Sequence, residues 1–144
     1  MTNEEFEAKI RAMLDDINRN QADTVLGMMQ PRFVACDAQA QTLTLAFPAQ
    51  RWERNPIGVM QGGVVATALD YAVACLALCY AAADPVTVSL QVSYLRGAPI
   101  EGELQVRVRA TKIGRTMIHA FAEAYEARTP DKLVATANVA YMVP

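Results

Sequence analysis

The sequence is poor in the residues that build metal centres, disulfide frameworks and nucleic-acid surfaces. Its 144 residues include one histidine, one tryptophan and three cysteines. Cys36, Cys75 and Cys79 are odd in number, lack metal-ligand spacing and have mostly apolar neighbours, so we expect reduced thiols in a cytoplasmic protein and no metal site. The 13 Lys and Arg residues are scattered and the net charge is −2, which argues against nucleic acid or an anionic membrane as a partner.

Long hydrophobic runs are also rare, with one exception between Val64 and Ala83. The acidic stretch at residues 1–5 lacks the basic and then apolar pattern of a secretory signal. The long run contains Asp70 and follows two glycines, so we interpret it as a buried core helix and not as a membrane span. Hydrophobic residues make up 53% of the chain, enough for one core with apolar surface left for contact between subunits.

Hydrophobic periodicity predicts a helix, two strands, a long helix and then a series of strands. Thr2 and Glu5 have capping-box spacing and are followed by apolar residues at helical spacing, which predicts an amphipathic helix over residues 3–19. The apolar helix should run from about residue 61 to about residue 82 and end before Asp84-Pro85. Alternating apolar and polar positions predict strands at residues 33–36, 42–47, 86–94, 103–109, 116–127 and 133–142.

This order of elements indicates an α+β fold. Successive antiparallel strands do not form a doubly wound sheet, and a helix that is apolar on almost every face must be covered nearly all round. We therefore predict a single domain over residues 1–144, in which a curved antiparallel sheet wraps around the long apolar helix and an extra amphipathic helix precedes it.

Three residues of the apolar helix are candidates for chemistry. Gly62 and Gly63, where the helix begins, expose N–H groups at the positive end of the helix dipole, which suits a carbonyl oxygen that gains negative charge. The alternative is that the glycines only allow the loop to approach the sheet. Asp70 is the one ionisable residue in the helix, and a buried carboxylate needs donors or a proton, which marks it as a functional candidate. The alternative is a structural Asp bonded across a subunit interface.

The spacing of these candidates has a consequence for assembly. Gly62 and Asp70 are separated by about 12 Å along a helix that rises about 1.5 Å per residue. Both groups cannot readily reach one carbonyl from the same helix. If they act in one reaction, Asp70 comes from a second copy of the chain, and we expect a dimer or a dimer of dimers.

The segment from Asn55 to Gly63, NPIGVMQGG, followed by Asp70, resembles the active-site signature of hotdog thioesterases in the branch related to phenylacetate degradation. That signature is Asn, two residues, Gly, two residues, His-Gly-Gly, and then Asp or Glu seven residues after the last glycine. The resemblance covers about residues 30–143. It implies a hotdog core over that range, with the helix at residues 3–19 added before it.

The resemblance also implies an activity, the hydrolysis of acyl-CoA thioesters to free acid and thiol. Asn55 would orient the attacking water or the carboxylate, and the Gly62 amide would polarise the thioester carbonyl. Asp70 of the facing subunit would be the general base or the nucleophile. Thr87 would help to place water, unless it is an ordinary strand residue. Gln61 stands where many family members have histidine; its amide N–H can donate a hydrogen bond but cannot titrate.

Further residues are candidates for substrate binding. Arg96 and Arg115 could bind the phosphates or adenine ring of coenzyme A, since arginine suits bidentate phosphate contacts, although solvated arginines at strand ends are the alternative. Gly63 and Met60 complete the predicted substrate site, Met60 as an adaptable apolar group. No cofactor is expected, because coenzyme A is part of the substrate.

Two other functions are compatible with these residues. A hotdog hydratase or dehydratase usually needs a histidine beside the carboxylate, where this chain has Gln61. A non-catalytic acyl-CoA binder or sensor belongs to a different class; Asn55 and Asp70 argue against it, whereas Gln61 argues mildly for it. His119, the only histidine, is accompanied by no Gly-x-Ser-x-Gly motif, and we interpret it as structural.

Overall fold

The strands form one six-stranded antiparallel sheet that wraps around a central helix. The computed structural model describes residues 1–144. The elements in chain order are α1 (Asn3–Asn20), α2 (Val25–Met29), β1 (Arg32–Asp37), β2 (Thr42–Pro48), a 3₁₀ helix (Arg51–Glu53), α3 (Gly62–Tyr80), β3 (Val86–Tyr94), β4 (Glu103–Ile113), β5 (Met117–Glu126) and β6 (Leu133–Met142). The sheet order is β1-β2-β4-β5-β6-β3, and every neighbouring pair is antiparallel. The predicted α+β architecture is confirmed.

The N-terminal helix α1 begins with the predicted capping box. The Thr2 hydroxyl accepts a hydrogen bond from the Glu5 N–H at 3.1 Å, and the Glu5 carboxylate accepts one from the Thr2 N–H at 2.8 Å. Its apolar residues Phe6, Ile10 and Leu14 are buried, and the helix packs against β1 and α3. The extra helix is therefore built into the hydrophobic core.

Three details differ from the prediction. Residues 25–29 form the short helix α2, which was not predicted. Five residues are too few to show a helical period. Strand β4 continues to Ile113, four residues beyond its predicted end. The prediction ended early because a β-bulge between Ala110 and Lys112 interrupts the alternation of apolar and polar residues. Helix α3 ends at Tyr80 and not near residue 82, with Ala81 in an extended conformation as its C-cap.

The central helix α3 is covered on most of its surface, as a helix apolar on nearly all sides must be. It packs against β2, β3, β4, β5 and β6. It is long and apolar enough to cross a bilayer, but 56% of its most apolar window is buried inside the protein, which is typical of a core helix. Burial raises the pKa of the Cys75 thiol to about 12 and that of the Cys79 thiol to about 11, so both stay protonated as core side chains.

Strand β3 is the edge of the sheet beside α3 and pairs only with β6. Most of its residues are exposed, and Val86, Val88 and Tyr94 are each more than half exposed. A free strand edge with unpaired N–H and C=O groups and large apolar side chains is a template for pairing with another strand.

The packing of α3 predicts how two apolar substitutions differ in their effect on stability. Leu76 is 0% exposed, so Leu76→Ala should lower the free energy of unfolding by about 2–5 kcal/mol through lost burial and a cavity. Val25 on α2 is 60% exposed, and Val25→Ala should change the free energy of unfolding by less than about 0.5 kcal/mol. Urea denaturation at one fixed protein concentration measures both. Similar losses for the two variants would mean that α3 does not form the core.

Candidate active site

The loop that leads into α3 is folded around the side chain of Asn55. Its Oδ1 accepts hydrogen bonds from the N–H groups of Ile57 and Val59, each at 3.1 Å. Gly58 has φ +95°, a conformation that glycine adopts without strain. Asn55 and Gly58 are therefore the first and last residues of a turn, which the Gly58 N–H closes by donating to the Asn55 carbonyl at 3.1 Å. The Asn55 side-chain NH₂ donates no hydrogen bond within the chain and stays free for a ligand.

Gln61 is the N-cap of α3. Its Oε1 accepts a hydrogen bond from the Val64 N–H at 3.0 Å, and its own N–H donates to the Glu53 carbonyl at 2.7 Å. A Cβ on Gly63 would lie 2.7 Å from the Gln61 Oε1, so the second glycine leaves room for this cap. The NH₂ of Gln61 has no partner within the chain and can still donate.

The first two N–H groups of α3, those of Gly62 and Gly63, donate no hydrogen bond within the chain. The Tyr94 hydroxyl donates to the Gly62 carbonyl at 2.5 Å, and this carbonyl shares a peptide plane with the Gly63 N–H. Tyr94 thereby fixes one of the two free peptide groups. A Cβ on Gly62 would lie 3.3 Å from the Tyr94 ring, so little room exists for a side chain there.

A pocket of about 330 Å³ opens beside Gly62, between the Asn55 loop and the end of β3. Most of its wall is apolar, and it brings together four of the predicted residues: Asn55, Met60, Gly62 and Arg96. Met60 is a buried wall residue whose N–H donates to the Ala98 carbonyl at 2.9 Å. An apolar pocket with a few convergent donors is suited to a small ligand that carries a carbonyl group.

Asp70 lies in a second cluster with two hydroxyl groups. Its Oδ1 accepts hydrogen bonds from the Thr87 hydroxyl at 3.0 Å and the Tyr141 hydroxyl at 2.7 Å. Burial raises the pKa of Tyr141 well above its usual range, so the phenol keeps the proton that it donates. The half-buried carboxylate is thus held by two donors, while its Oδ2 accepts no hydrogen bond within the chain and remains available.

The pocket and the Asp70 cluster are separate within one chain. Neither Asp70 nor Thr87 lines the pocket. Thr87 lies at the start of β3 and Tyr94 at its end, so the strand spans the distance between the two groups.

The other two predicted substrate contacts lie outside this pocket. Arg115 is in the turn between β4 and β5 and does not line the pocket. Met117, two residues later, and Val86, next to Thr87, both pair with Met142. Arg115 therefore lies at the end of the sheet where Thr87 bonds to Asp70. Gly63 does not line the pocket either, and its lack of a side chain serves the Gln61 cap.

Tyr94 and Tyr141 are site residues that the sequence pattern did not single out. Each stands near the end of a strand, where alternation assigns it to a face but does not name the partner of its hydroxyl. The partners are 32 and 71 residues away in sequence. In the sequence, the one indication of either contact is that a tyrosine stands at a strand position where a purely apolar residue would fit the alternation equally well.

Glu53 is a buried carboxylate in the segment that leads into the Asn55 loop. It is 1% exposed, and its Oε1 accepts a hydrogen bond from the Gln50 N–H at 2.7 Å. Its Oε2 is buried without a hydrogen-bond partner. Burial raises the pKa of this carboxyl above its ordinary value.

Comparison with known proteins identifies a family and several solved structures that are similar to this chain. The Thioesterase superfamily matches residues 57–129, which include the Asn55 loop from Ile57 onward, Gly62 and Asp70. A phenylacetic acid degradation-related protein from Ralstonia eutropha JMP134 is 30% identical, with a TM-score of 0.76 over 90% of this chain and 98% of that one. No curated protein matches the chain.

Two more distant structures share the fold. The E. coli PaaI protein of the phenylacetic acid degradation operon is 14% identical, with a TM-score of 0.80 over 100% of this chain and 96% of that one. The smu.793 protein of Streptococcus mutans UA159, solved bound to acetyl CoA, is 18% identical, with a TM-score of 0.71 over 79% of this chain and 88% of that one.

The buried carboxylate of Glu53 predicts a pH dependence of stability. Because its pKa is raised in the folded protein, the folded state holds a proton that the unfolded state has lost, over a window that begins near the ordinary value of about 4.3. Stability relative to Glu53→Gln should therefore fall as pH rises through that window and level off above it. Urea denaturation at a series of pH values tests this, with the exposed Glu4→Gln as control. Parallel curves for parent and Glu53→Gln would contradict it.

Proposed function

Because this chain belongs to the Thioesterase superfamily, we propose that it hydrolyses acyl-CoA thioesters to free acid and coenzyme A. The observation that carries the proposal is the pair of unpartnered N–H groups at Gly62 and Gly63, where α3 begins at the wall of an apolar pocket. Such donors at a helix N-terminus stabilise an oxygen that becomes negative during acyl transfer. The acetyl CoA bound to the Streptococcus mutans relative supports a CoA thioester as the ligand class.

In the proposed reaction, the thioester carbonyl oxygen accepts a hydrogen bond from the Gly62 N–H. In one route, water attacks the carbonyl carbon while Asp70 takes its proton; the C–S bond then breaks, and the sulfur leaves as the thiol with the proton that Asp70 held. In the other route, Asp70 attacks the carbonyl carbon, the C–S bond breaks and the thiolate leaves as the anhydride forms. Water then cleaves the anhydride to the free acid and a protonated Asp70, and that proton converts the thiolate into the thiol. The free NH₂ groups of Asn55 and Gln61 are further donors beside the pocket, for the water or the carbonyl oxygen.

This mechanism requires Asp70 and Gly62 to meet, and the exposed strand β3 supplies a route. We propose that two copies pair β3 with β3 in antiparallel fashion, centred on Leu90. Thr87 would then lie opposite the partner's Ser93, one residue from the partner's Tyr94. Since Thr87 bonds to Asp70 and Tyr94 to Gly62, the pairing would bring each Asp70 cluster towards the other subunit's pocket. The site would then be complete only in a dimer.

A non-catalytic acyl-CoA binder is the second candidate. The observation in its favour is that Asn55 and Gln61 both have structural duties, since each side-chain oxygen is bonded to loop or helix backbone. These duties would persist without turnover. The two hydroxyl groups that hold Asp70 favour the enzyme, because a binder has no need of an oriented carboxylate. Release of thiol from a panel of acyl-CoA thioesters separates the two functions.

The first functional prediction concerns Asp70→Asn. The variant keeps an oxygen that can accept from Thr87 and Tyr141, but it loses the charge needed for a base or nucleophile. We expect kcat to fall at least about 10²-fold with the fold intact and acyl-CoA binding retained. Thiol release and calorimetric binding measure the two quantities, with the exposed Asp131→Asn as control. A kcat near that of the parent would make Asp70 a structural residue.

The second functional prediction concerns the split site. Gly62→Pro deletes the proposed oxyanion donor at a helix position that accepts proline, and Gln61 before it already has the extended conformation that proline requires. We expect Gly62→Pro and Asp70→Asn to be inactive as homodimers. A mixed dimer of the two should recover about half of the parent's activity per dimer, because one of its two sites is intact.

The mixed dimer is purified through two different affinity tags, which verifies its composition. Gly62→Ala, which keeps the N–H, controls for steric effects beside Tyr94. A verified mixed dimer without activity would show that both groups act within one chain, or that they do not act together.

A further inference from the structure

The arginines of the chain fall into two groups. Five of the ten form ion pairs with carboxylates: Arg11, Arg19, Arg32, Arg107 and Arg128. The other five make none, and they are Arg51, Arg54, Arg96, Arg109 and Arg115. Three of these five line pockets that meet at Asn55, although the chain has an overall negative charge. Unneutralised cations are therefore concentrated beside the candidate active site.

Two of them form a pocket of their own. A concavity of about 460 Å³ is lined only by Arg51, Arg54, Asn55 and Pro56. Asn55 also lines the pocket beside Gly62, so the two cavities share one wall. None of its lining residues is acidic, and only Pro56 has an apolar side chain, which distinguishes this cavity from the mostly apolar pocket beside Gly62.

A single 3₁₀ turn brings Arg51 and its C-cap residue Arg54 to the same cavity. Arg51 begins the 3₁₀ helix, and the Arg54 N–H donates to its carbonyl at 3.1 Å. Side chains three residues apart eclipse one another in 3₁₀ geometry. The intervening acid, Glu53, turns inward and is 1% exposed, so it does not neutralise the pair. The Arg54 guanidinium lies over Gly58, with its Nη2 3.6 Å from where a Cβ on that residue would be.

We propose that Arg51 and Arg54 form a subsite for an anionic group of the thioester substrate, beside the pocket that takes the thioester itself. The proposal rests on the thioesterase function proposed above. Guanidinium groups bind phosphate and carboxylate through paired hydrogen bonds, so two sources of the anion share this chemistry. One is the phosphates of coenzyme A, and the other is a carboxylate at the far end of a dicarboxylic acyl group.

The test compares three substrates in the parent and in the double variant R51Q/R54Q. Butyryl-CoA carries phosphates, butyryl-N-acetylcysteamine carries no anion, and glutaryl-N-acetylcysteamine carries only a carboxylate. Loss of two charge-assisted contacts should raise KM at least about tenfold for the substrate whose anion the subsite binds, with kcat unchanged within about twofold. R19Q/R109Q removes two arginines elsewhere, from α1 and β4, and should leave every KM unchanged.

The pattern of KM values identifies the anion. A rise for butyryl-CoA alone assigns the subsite to the phosphates of the carrier. A rise for the glutaryl thioester, which the parent would then prefer over the butyryl thioester, assigns it to an acyl carboxylate. R51K/R54K should restore part of the lost affinity, since lysine keeps the charge but not the paired geometry. Unchanged KM values in R51Q/R54Q, or an equal rise in R19Q/R109Q, would overturn the proposal.

Failure of the subsite and failure of the enzyme give different results. If the parent cleaves none of the thioesters, the proposed hydrolysis is wrong, and calorimetric titration with coenzyme A and with glutarate still decides on the subsite. Binding of either by the parent at least tenfold more tightly than by R51Q/R54Q would support it. Equal affinities, or no binding of either probe to the parent, would overturn it.

Discussion

A helix cannot satisfy its own first N–H groups, and the way α3 meets this constraint organises the region around it. The Gln61 side chain caps Val64 and leaves the N–H groups of Gly62 and Gly63 without partners. The preceding loop is folded by Asn55 and by the positive φ of Gly58. Tyr94 then holds the first peptide of the helix from the neighbouring strand. Exposed donors at the start of a core helix are thus a built feature, supported from both sides.

The length of α3 determines what this end of the helix can do alone. The only carboxylate in the helix is more than two turns away, tied to β3 and β6 by Thr87 and Tyr141. The same strand β3 contacts both groups, near one end through Thr87 and at the other through Tyr94. If the exposed edge of β3 pairs with the same edge of a second chain, the Asp70 cluster of one chain approaches the Gly62 pocket of the other. This is why we propose pairing of this edge between two chains. The arginine pocket at Arg51 and Arg54 lies on the loop side of the same arrangement.

Much of this was accessible from sequence because it is local. Helical and strand periodicities predict α1, α3 and the six strands. The paired glycines and Asp70 are candidates from their own chemistry, and the resemblance to the hotdog thioesterase signature adds Asn55. Helix α2 was missed because five residues show no period. The tyrosine contacts were missed because they depend on sheet register, which joins residues 32 and 71 positions apart. The Arg51–Arg54 pocket depends on a single 3₁₀ turn and on the inward orientation of Glu53, and neither has a sequence signature.

Because β3 pairs only with β6, the order of synthesis affects how the chain folds during translation. Strand β3 is synthesised about 40 residues before β6, its only neighbour in the sheet, while β4 and β5 emerge in between. Throughout that interval β3, in which every second residue is apolar or aromatic, has two unpaired edges, in a chain whose non-local pairings form slowly. Translation that stalled after β5 would leave β3 unpaired and the fragment prone to aggregation, because β6 is the strand that joins β3 to the other four.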